Sequence, residues 1–215
     1  MNSGHQHQAK RSLREAFGYR GCPICHVLDR EESDFMATLQ YKTFKEEKVR
    51  LDVVSANGYC NFHFHQMARM ASPMGIAVLT EELINAEIKE IERGSFKPTL
   101  RIDCPICKYA DEREESHVRE FRALLSEEPF WKEYEATDGL CRIHLKGVLN
   151  LMQAGELHEF MLTSHMMHLK LLKVQLETFI SKMRSTRDFK EEKDSWLVAI
   201  EKMVGKKGLK NRKAE

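Results

Sequence analysis

The stretches GCPICH at 21–26 and DCPICK at 103–108 each place two cysteines two residues apart with Pro-Ile between them. Such a pair can serve thiol–disulfide exchange, form half of a metal site, or end up in a structural disulfide. The residues downstream of each stretch narrow the choice. GYCNFH at 58–63 and GLCRIH at 139–144 repeat a Gly-x-Cys-x-x-His element, so Cys22, Cys25, Cys60 and His63 have counterparts at Cys104, Cys107, Cys141 and His144. The offset is 82 residues for the first pair and 81 for the second, and the pattern uses all six cysteines of the chain. Spacing of this kind reads as an internal duplication.

Tetrahedral zinc takes thiolate and imidazole donors, and a C-x-x-C turn followed by a C-x-x-H turn supplies three of one and one of the other. Taken in chain order, the donors form two quartets: Cys22, Cys25, Cys60 and His63, then Cys104, Cys107, Cys141 and His144. The 34 and 33 residues between the inner cysteines suit an out-and-back helical hairpin. Two helices of roughly 15 residues would travel ~22 Å each way and return the second knuckle to the first. Two zinc ions per chain are the expectation, with all four positions filled by protein. Iron–sulfur clusters held by three cysteines and a histidine are the alternative. Thiol redox catalysis fits less well, because no β-α-β pattern surrounds either pair. His26 and His65 are set aside as ligands, since Lys108 and Lys146 stand at the matching positions.

Helical periodicity fills the intervals. Phe35, Met36, Leu39, Phe44, Val49, Leu51 and Val54 lie among charges in the first. Val118, Phe121, Leu124 and Leu125 precede a break at Pro129 in the second, and Phe130, Trp131 and Tyr134 follow it. Short helices are expected over 61–70 and from 142, and longer ones over about 75–93 and 156–184. A last helix should pack Trp196, Leu197, Ile200 and Val204 inward. The fold class is therefore all-α: two pseudo-repeats of helical hairpin plus helices, each pinned by one metal knuckle, packed as one helical bundle. The expected divisions are an N-terminal segment 1–21, repeat 1 at 22–93, a linker 94–103, repeat 2 at 104–185, a C-terminal helix 186–205 and a basic tail 206–215.

Composition bounds the function. Against 34 basic residues stand 33 acidic ones, so the chain as a whole has no bias toward nucleic acid or anionic membranes. A nucleic-acid contact would fall to the basic tail alone. No apolar run approaches the ~18 residues of a membrane span and no secretory leader is visible, so no membrane association and a cytoplasmic location are expected.

His158, His165 and His168 fall on one side of the long second helix, with 165 and 168 close enough to converge. Shifted by 81, His168 lies opposite Glu87, and both sit within apolar stripes where a lone charge is costly. A buried Glu87–His168 hydrogen bond, or a further metal site adding His165, is the resulting expectation. The Glu-x-x-His run from Glu114 to His117 sits in a charged stretch and reads as surface.

The doubled C-P-x-C and Gly-x-Cys-x-x-His elements, with the segment EKDSWLVAIEKMVG at 192–205, resemble a bacterial family of unknown function. The resemblance implies zinc-knuckle helical architecture and brings no catalytic residues. The functional expectation is a zinc-stabilised helical scaffold or adaptor with a protein partner. Alternatives are a metal-dependent or thiol-redox enzyme, an iron–sulfur sensor and a nucleic-acid-binding protein.

Overall fold

In a computed structural model, the residues described are 3–94, 103–185 and 188–206; most of the expected linker and the tail beyond 206 lie outside them. The described residues form ten α-helices and one short 3-10 turn, with no strand. In chain order the helices are α1 (Ser3–Ala16), α2 (Pro23–Lys45), α3 (Glu47–Ser55), α4 (Asn61–Met70), α5 (Pro73–Glu92), α6 (Pro105–Leu124), α7 (Glu128–Glu135), α8 (Arg142–Leu149), α9 (Glu156–Arg184) and α10 (Ser195–Val204). No helix among them is long and apolar enough to cross a membrane.

Local sequence explains where the helices begin. Proline opens both α2 and α6, at a first-turn position whose N–H has no partner within the helix and where its fixed φ is already suitable. Ser72 caps α5, its hydroxyl oxygen accepting from the Gly75 N–H at 3.1 Å, with Pro73 next in line. Gly58 and Gly139 each precede a motif cysteine by two residues and take φ of +81° and +73°. This left-handed turn favours glycine.

The chain divides into two compact units that do not follow the repeat boundaries. The first comprises residues up to Asp29 and from Arg113 onward, and the second is Arg30–Glu112. In the first unit, Phe121, Leu125, Phe130, Tyr134, Leu140 and Val148 are fully buried together with Leu13 and Ile24. Phe121 meets Phe130 and Tyr134 edge-on at 5.3 and 5.4 Å, a favoured aromatic geometry. The Tyr134 hydroxyl accepts from the Leu140 N–H at 3.1 Å. The segment before Cys22 is part of this core: α1 buries Leu13 and Ala16, and Phe17 packs 5.0 Å from Phe130.

The second unit gathers Met36, Val53, Tyr59, Met67, Leu79 and Ile106. Tyr59 shares a hydrogen bond with Thr43 at 3.3 Å, and Phe35 stacks on Tyr109 at 4.0 Å.

One expectation about packing is reversed. α10 turns Ser195, Val198 and Lys202 inward, whereas Trp196, Leu197, Ile200 and Val204 are about half exposed. The apolar stripe read from the sequence is the outer face of this helix.

Candidate metal centres

The eight predicted donors come together in two groups of four, but not in chain order. Cys22 and Cys25 join Cys141 and His144; Cys60 and His63 join Cys104 and Cys107. Helix lengths cause the exchange. α2 runs 23 residues and α3 only 9, or ~34 Å out against ~14 Å back. The returning helix is therefore about 20 Å too short to retrace the outgoing one. In the second interval α6 has 20 residues and α7 has 8, with the same result. The expected sequential quartets are replaced by crossed ones, each complete within one compact unit.

Each group is built where two helices start. Cys25 and Cys107 lie in the first turns of α2 and α6, while Cys60 and Cys141 are the residues on which α4 and α8 begin. Equivalent backbone bonds shape the knuckles: the His26 and Lys108 N–H groups donate to the carbonyls of Cys22 and Cys104, each at 3.0 Å. Helix N-termini carry partial positive charge and favour thiolates.

The spacings fit a single tetrahedral ion. Bonds of about 2.3 Å to sulfur and about 2.0 Å to nitrogen make tetrahedron edges of about 3.8 Å between sulfurs and about 3.5 Å between sulfur and nitrogen. In the first group Cys25 and Cys141 Sγ are 3.8 Å apart, and His144 Nδ1 lies 3.4, 3.4 and 3.3 Å from the sulfurs of Cys22, Cys25 and Cys141. In the second group Cys60 and Cys107 Sγ are 3.6 Å apart, with His63 Nδ1 at 3.2, 3.5 and 3.3 Å from Cys60, Cys104 and Cys107. None of the six cysteines is in a disulfide, and these separations are far from the ~2.05 Å of one.

Two carboxylates complete the centres, and the sequence pattern of donors does not include them. With Nδ1 turned to the sulfurs, the far nitrogen of each imidazole points at a glutamate: His63 Nε2 lies 3.4 Å from Glu32 Oε1, and His144 Nε2 lies 3.3 Å from Glu114 Oε1. Such a carboxylate fixes the tautomer and orientation of a ligating imidazole. A signal for them exists, because Glu32 and Glu114 each follow the first cysteine of their C-P-I-C by ten residues. The Glu114-to-His117 run is accordingly not surface: His117 is fully buried and the Glu114 side chain is 13% exposed.

Electrostatics match a site meant for a cation. Burial opposes a charge on His63, yet its bonds to Cys104 and Glu32 outweigh this and hold its pKa at about 9. His144 is raised for the same reasons, by Cys22, Cys141 and Glu114 against burial. Within each thiol cluster the bonds between sulfurs force an unequal split. Hydrogen bonding from Cys22 and Cys25 lowers Cys141, and the bond to Cys141 raises Cys25. Cys104 is likewise lowered to about 3 by Cys107, which is itself raised. Three sulfurs packed this closely cannot all ionise beside each other without a compensating cation; a divalent ion removes the conflict.

The two centres differ in enclosure. Cys22, Cys25, Cys141 and His144 are all buried, whereas Cys60 and Cys107 are partly exposed. The end of α10 seals the first. The Lys206 N–H lies 3.4 Å from Cys25 Sγ, a Cβ at Gly205 (φ +80°) would sit 3.9 Å from the sulfurs of Cys25 and Cys141, and Glu201 accepts from the Cys22 N–H at 2.7 Å. Beside the second centre lies an open groove of about 460 Å³ lined by Tyr59, Asn61, Phe64, His65 and Ala68.

The expectation of a buried Glu87–His168 pair is not met on the Glu87 side. Glu87 is exposed on α5, where only Leu79 is buried. His168 is buried in the first unit, its Nε2 3.3 Å from the Glu135 carbonyl, its ring edge-on to Tyr134. Nor does it join a metal group with His165 among the described residues. Burial lowers the pKa of both histidines, His165 to about 4, and the nearby Lys202 ammonium adds to this. His26 stacks on Tyr19 at 4.0 Å, and His65 lines the groove.

Fold and centres thus define an all-helical protein with two Cys3His groups that can each hold a metal ion. Residues 12–100 match the model of a family of unknown function, DUF6062. That span holds Cys22 and Cys25 of one centre and Cys60 and His63 of the other, so neither donor set is complete within it. No curated protein and no solved structure matches the chain.

Proposed function

We propose that each Cys3His group binds one zinc ion and that the chain is a zinc-stabilised helical scaffold, an adaptor whose exposed helix faces receive a protein partner. The observation that carries the zinc reading is the set of donor spacings: each imidazole nitrogen is 3.2–3.5 Å from its three sulfurs, one sulfur pair in each group is 3.6–3.8 Å apart, and all donor atoms of a group lie within 4.8 Å of one another, which suits one small tetrahedral ion closed by protein donors. An iron–sulfur cluster distributes its cysteines over different irons and would spread these sulfurs well beyond such edges. With four protein ligands at each centre, no position is left for a substrate at the metal, which favours a structural role.

Support for the partner comes from the surface. Met167, Leu171 and Val174 on α9 are each more than half exposed, and Trp196, Ile200 and Met203 on α10 are about half exposed. Both triplets follow the i, i+4, i+7 spacing of one helix face. Apolar rows of this kind mark contact surfaces.

Elemental analysis of the protein as purified, with a visible spectrum, tests the metal reading. Two zinc ions per chain and no absorbance above 350 nm are expected (zinc is d¹⁰); iron with a brown colour would overturn it. For the adaptor role, in-cell crosslinking of the wild type and of a Leu171→Lys, Val174→Lys variant of unchanged stability should show a crosslinked protein lost in the variant. An identical crosslink pattern would count against that surface.

A further inference from the structure

We propose that the Cys60–Cys107 edge of the second centre is an oxidation site, at which a hydroperoxide joins the two sulfurs in a disulfide and expels the metal while the first centre stays intact. The proposal rests on the zinc reading above.

Three observations carry it. Cys60 and Cys107 are the two partly exposed donors of the eight; the other six are buried. Their sulfurs are 3.6 Å apart, so one partner is already in place to resolve an oxidised form of the other. The groove of about 460 Å³ is lined by the residues on either side of Cys60, Tyr59 and Asn61, and leaves room for a small oxidant. The first centre has none of these features in combination: its cysteines are at most 2% exposed, and the Lys206 N–H and Gly205 backbone lie against Cys25 and Cys141.

The chemistry balances with a hydroperoxide as oxidant. A metal-held sulfur is already a thiolate, and the thiolate is the nucleophile. One sulfur attacks the terminal peroxide oxygen, the O–O bond breaks, and the departing oxygen takes up a proton, leaving a sulfenic acid. The second thiolate attacks that sulfur, the S–S bond forms, and hydroxide leaves as water after gaining a second proton. Two electrons pass from the sulfur pair to the peroxide. The sulfurs close from 3.6 Å to about 2.05 Å. With two of its four donors bonded to each other, the centre retains only Cys104 and His63 and releases its ion. The second unit then loses its clamp, and a reductant with fresh zinc restores it.

The test uses the full chain loaded with zinc, treated with hydrogen peroxide in the presence of a chromogenic zinc indicator, and mapped by peptide mass spectrometry without reduction. Expected is a first phase releasing one ion per chain, with Cys60 and Cys107 in one disulfide-linked peptide pair, and a second ion held at least about tenfold longer. Dithiothreitol and zinc should return the starting material. Release of both ions together, a first disulfide involving Cys22, Cys25 or Cys141, or no release at peroxide levels that oxidise the denatured chain would each overturn the proposal. A chain that takes up no zinc at the loading step refutes the parent reading instead, so the two failures are distinct.

Discussion

The two centres have the same donors, the same supporting glutamate and the same two-helix construction, yet one is sealed and the other open. At the first, α10 and the residues after it close over the sulfurs; at the second, two of the three cysteines reach the surface beside a groove. Identical ligand chemistry therefore sits in two environments. Enclosure governs how readily solvent reaches a metal site, and on the proposed zinc reading the difference would make the first centre a permanent fastening and the second an exchangeable one.

The largest effect that would break this comparison comes from removing a ligand on each side. Both tryptophans of the chain, Trp131 and Trp196, lie in the first unit, so their fluorescence reports on that unit alone. Cys141→Ser should abolish its cooperative unfolding, since structural zinc sites supply on the order of 10 kcal/mol of apparent binding energy, comparable to a whole domain's net stability. Cys60→Ser should cost one ion per chain and leave the tryptophan transition in place. Loss of that transition in Cys60→Ser would erase the distinction between the units.

Chelation gives the next largest contrast. Excess chelator should take the second-unit ion first and at least about tenfold faster, in a phase silent to tryptophan and visible as lost helicity. Simultaneous release would mean that enclosure does not control access.

A smaller effect, equal on the two sides, is expected from the supporting carboxylates. Glu32→Gln should weaken the second centre and Glu114→Gln the first by 10–100-fold in affinity, about 1.4–2.7 kcal/mol each. Competition titration measures both. A Glu32→Gln variant that weakened only the first centre would contradict the bond it makes to His63.

The smallest is a pH effect peculiar to the first unit. His165 is held neutral by burial, its pKa lowered to about 4, whereas at the matching position the second unit has Ile84. Because the unfolded chain takes up the proton near pH 6.5, the folded state is fully favoured above that pH. This contribution is lost as pH falls from 6.5 toward 4. His165→Leu should flatten this part of the acid dependence by less than about 1.4 kcal/mol per pH unit. The check is the difference in urea midpoint between variant and wild type at each pH, which cancels proton uptake common to both.

How much of the molecule was legible in the sequence varies by residue. The eight donors were, because cysteine and histidine spacing is a local property and each knuckle is one turn of chain. Their partnership was not, because it depends on the lengths of helices in between, and an equal-legged hairpin was the wrong division. Two signs pointed the other way. No glycine or proline interrupts 26–57, and Pro129 stands 22 residues past Cys107 but only 12 before Cys141. Glu32 and Glu114 were legible in principle from their common offset. Periodicity showed that α5, α9 and α10 are amphipathic without showing which stripe is covered. Glu87 therefore proves exposed, and on α10 the buried face carries Ser195 and Lys202 rather than Trp196 and Ile200. The seal formed by Gly205 and Lys206 arises from contacts with cysteines far away in the chain, and no local pattern encodes it.

Counting retained zinc in two double variants tests the crossed pairing most directly. After desalting into chelator-free buffer, Cys22→Ser with Cys141→Ser damages one centre twice and should keep one ion per chain, that of the second centre. Cys22→Ser with Cys60→Ser damages both and should keep none. The reverse, one ion in the second variant and none in the first, would show that the motifs pair in chain order.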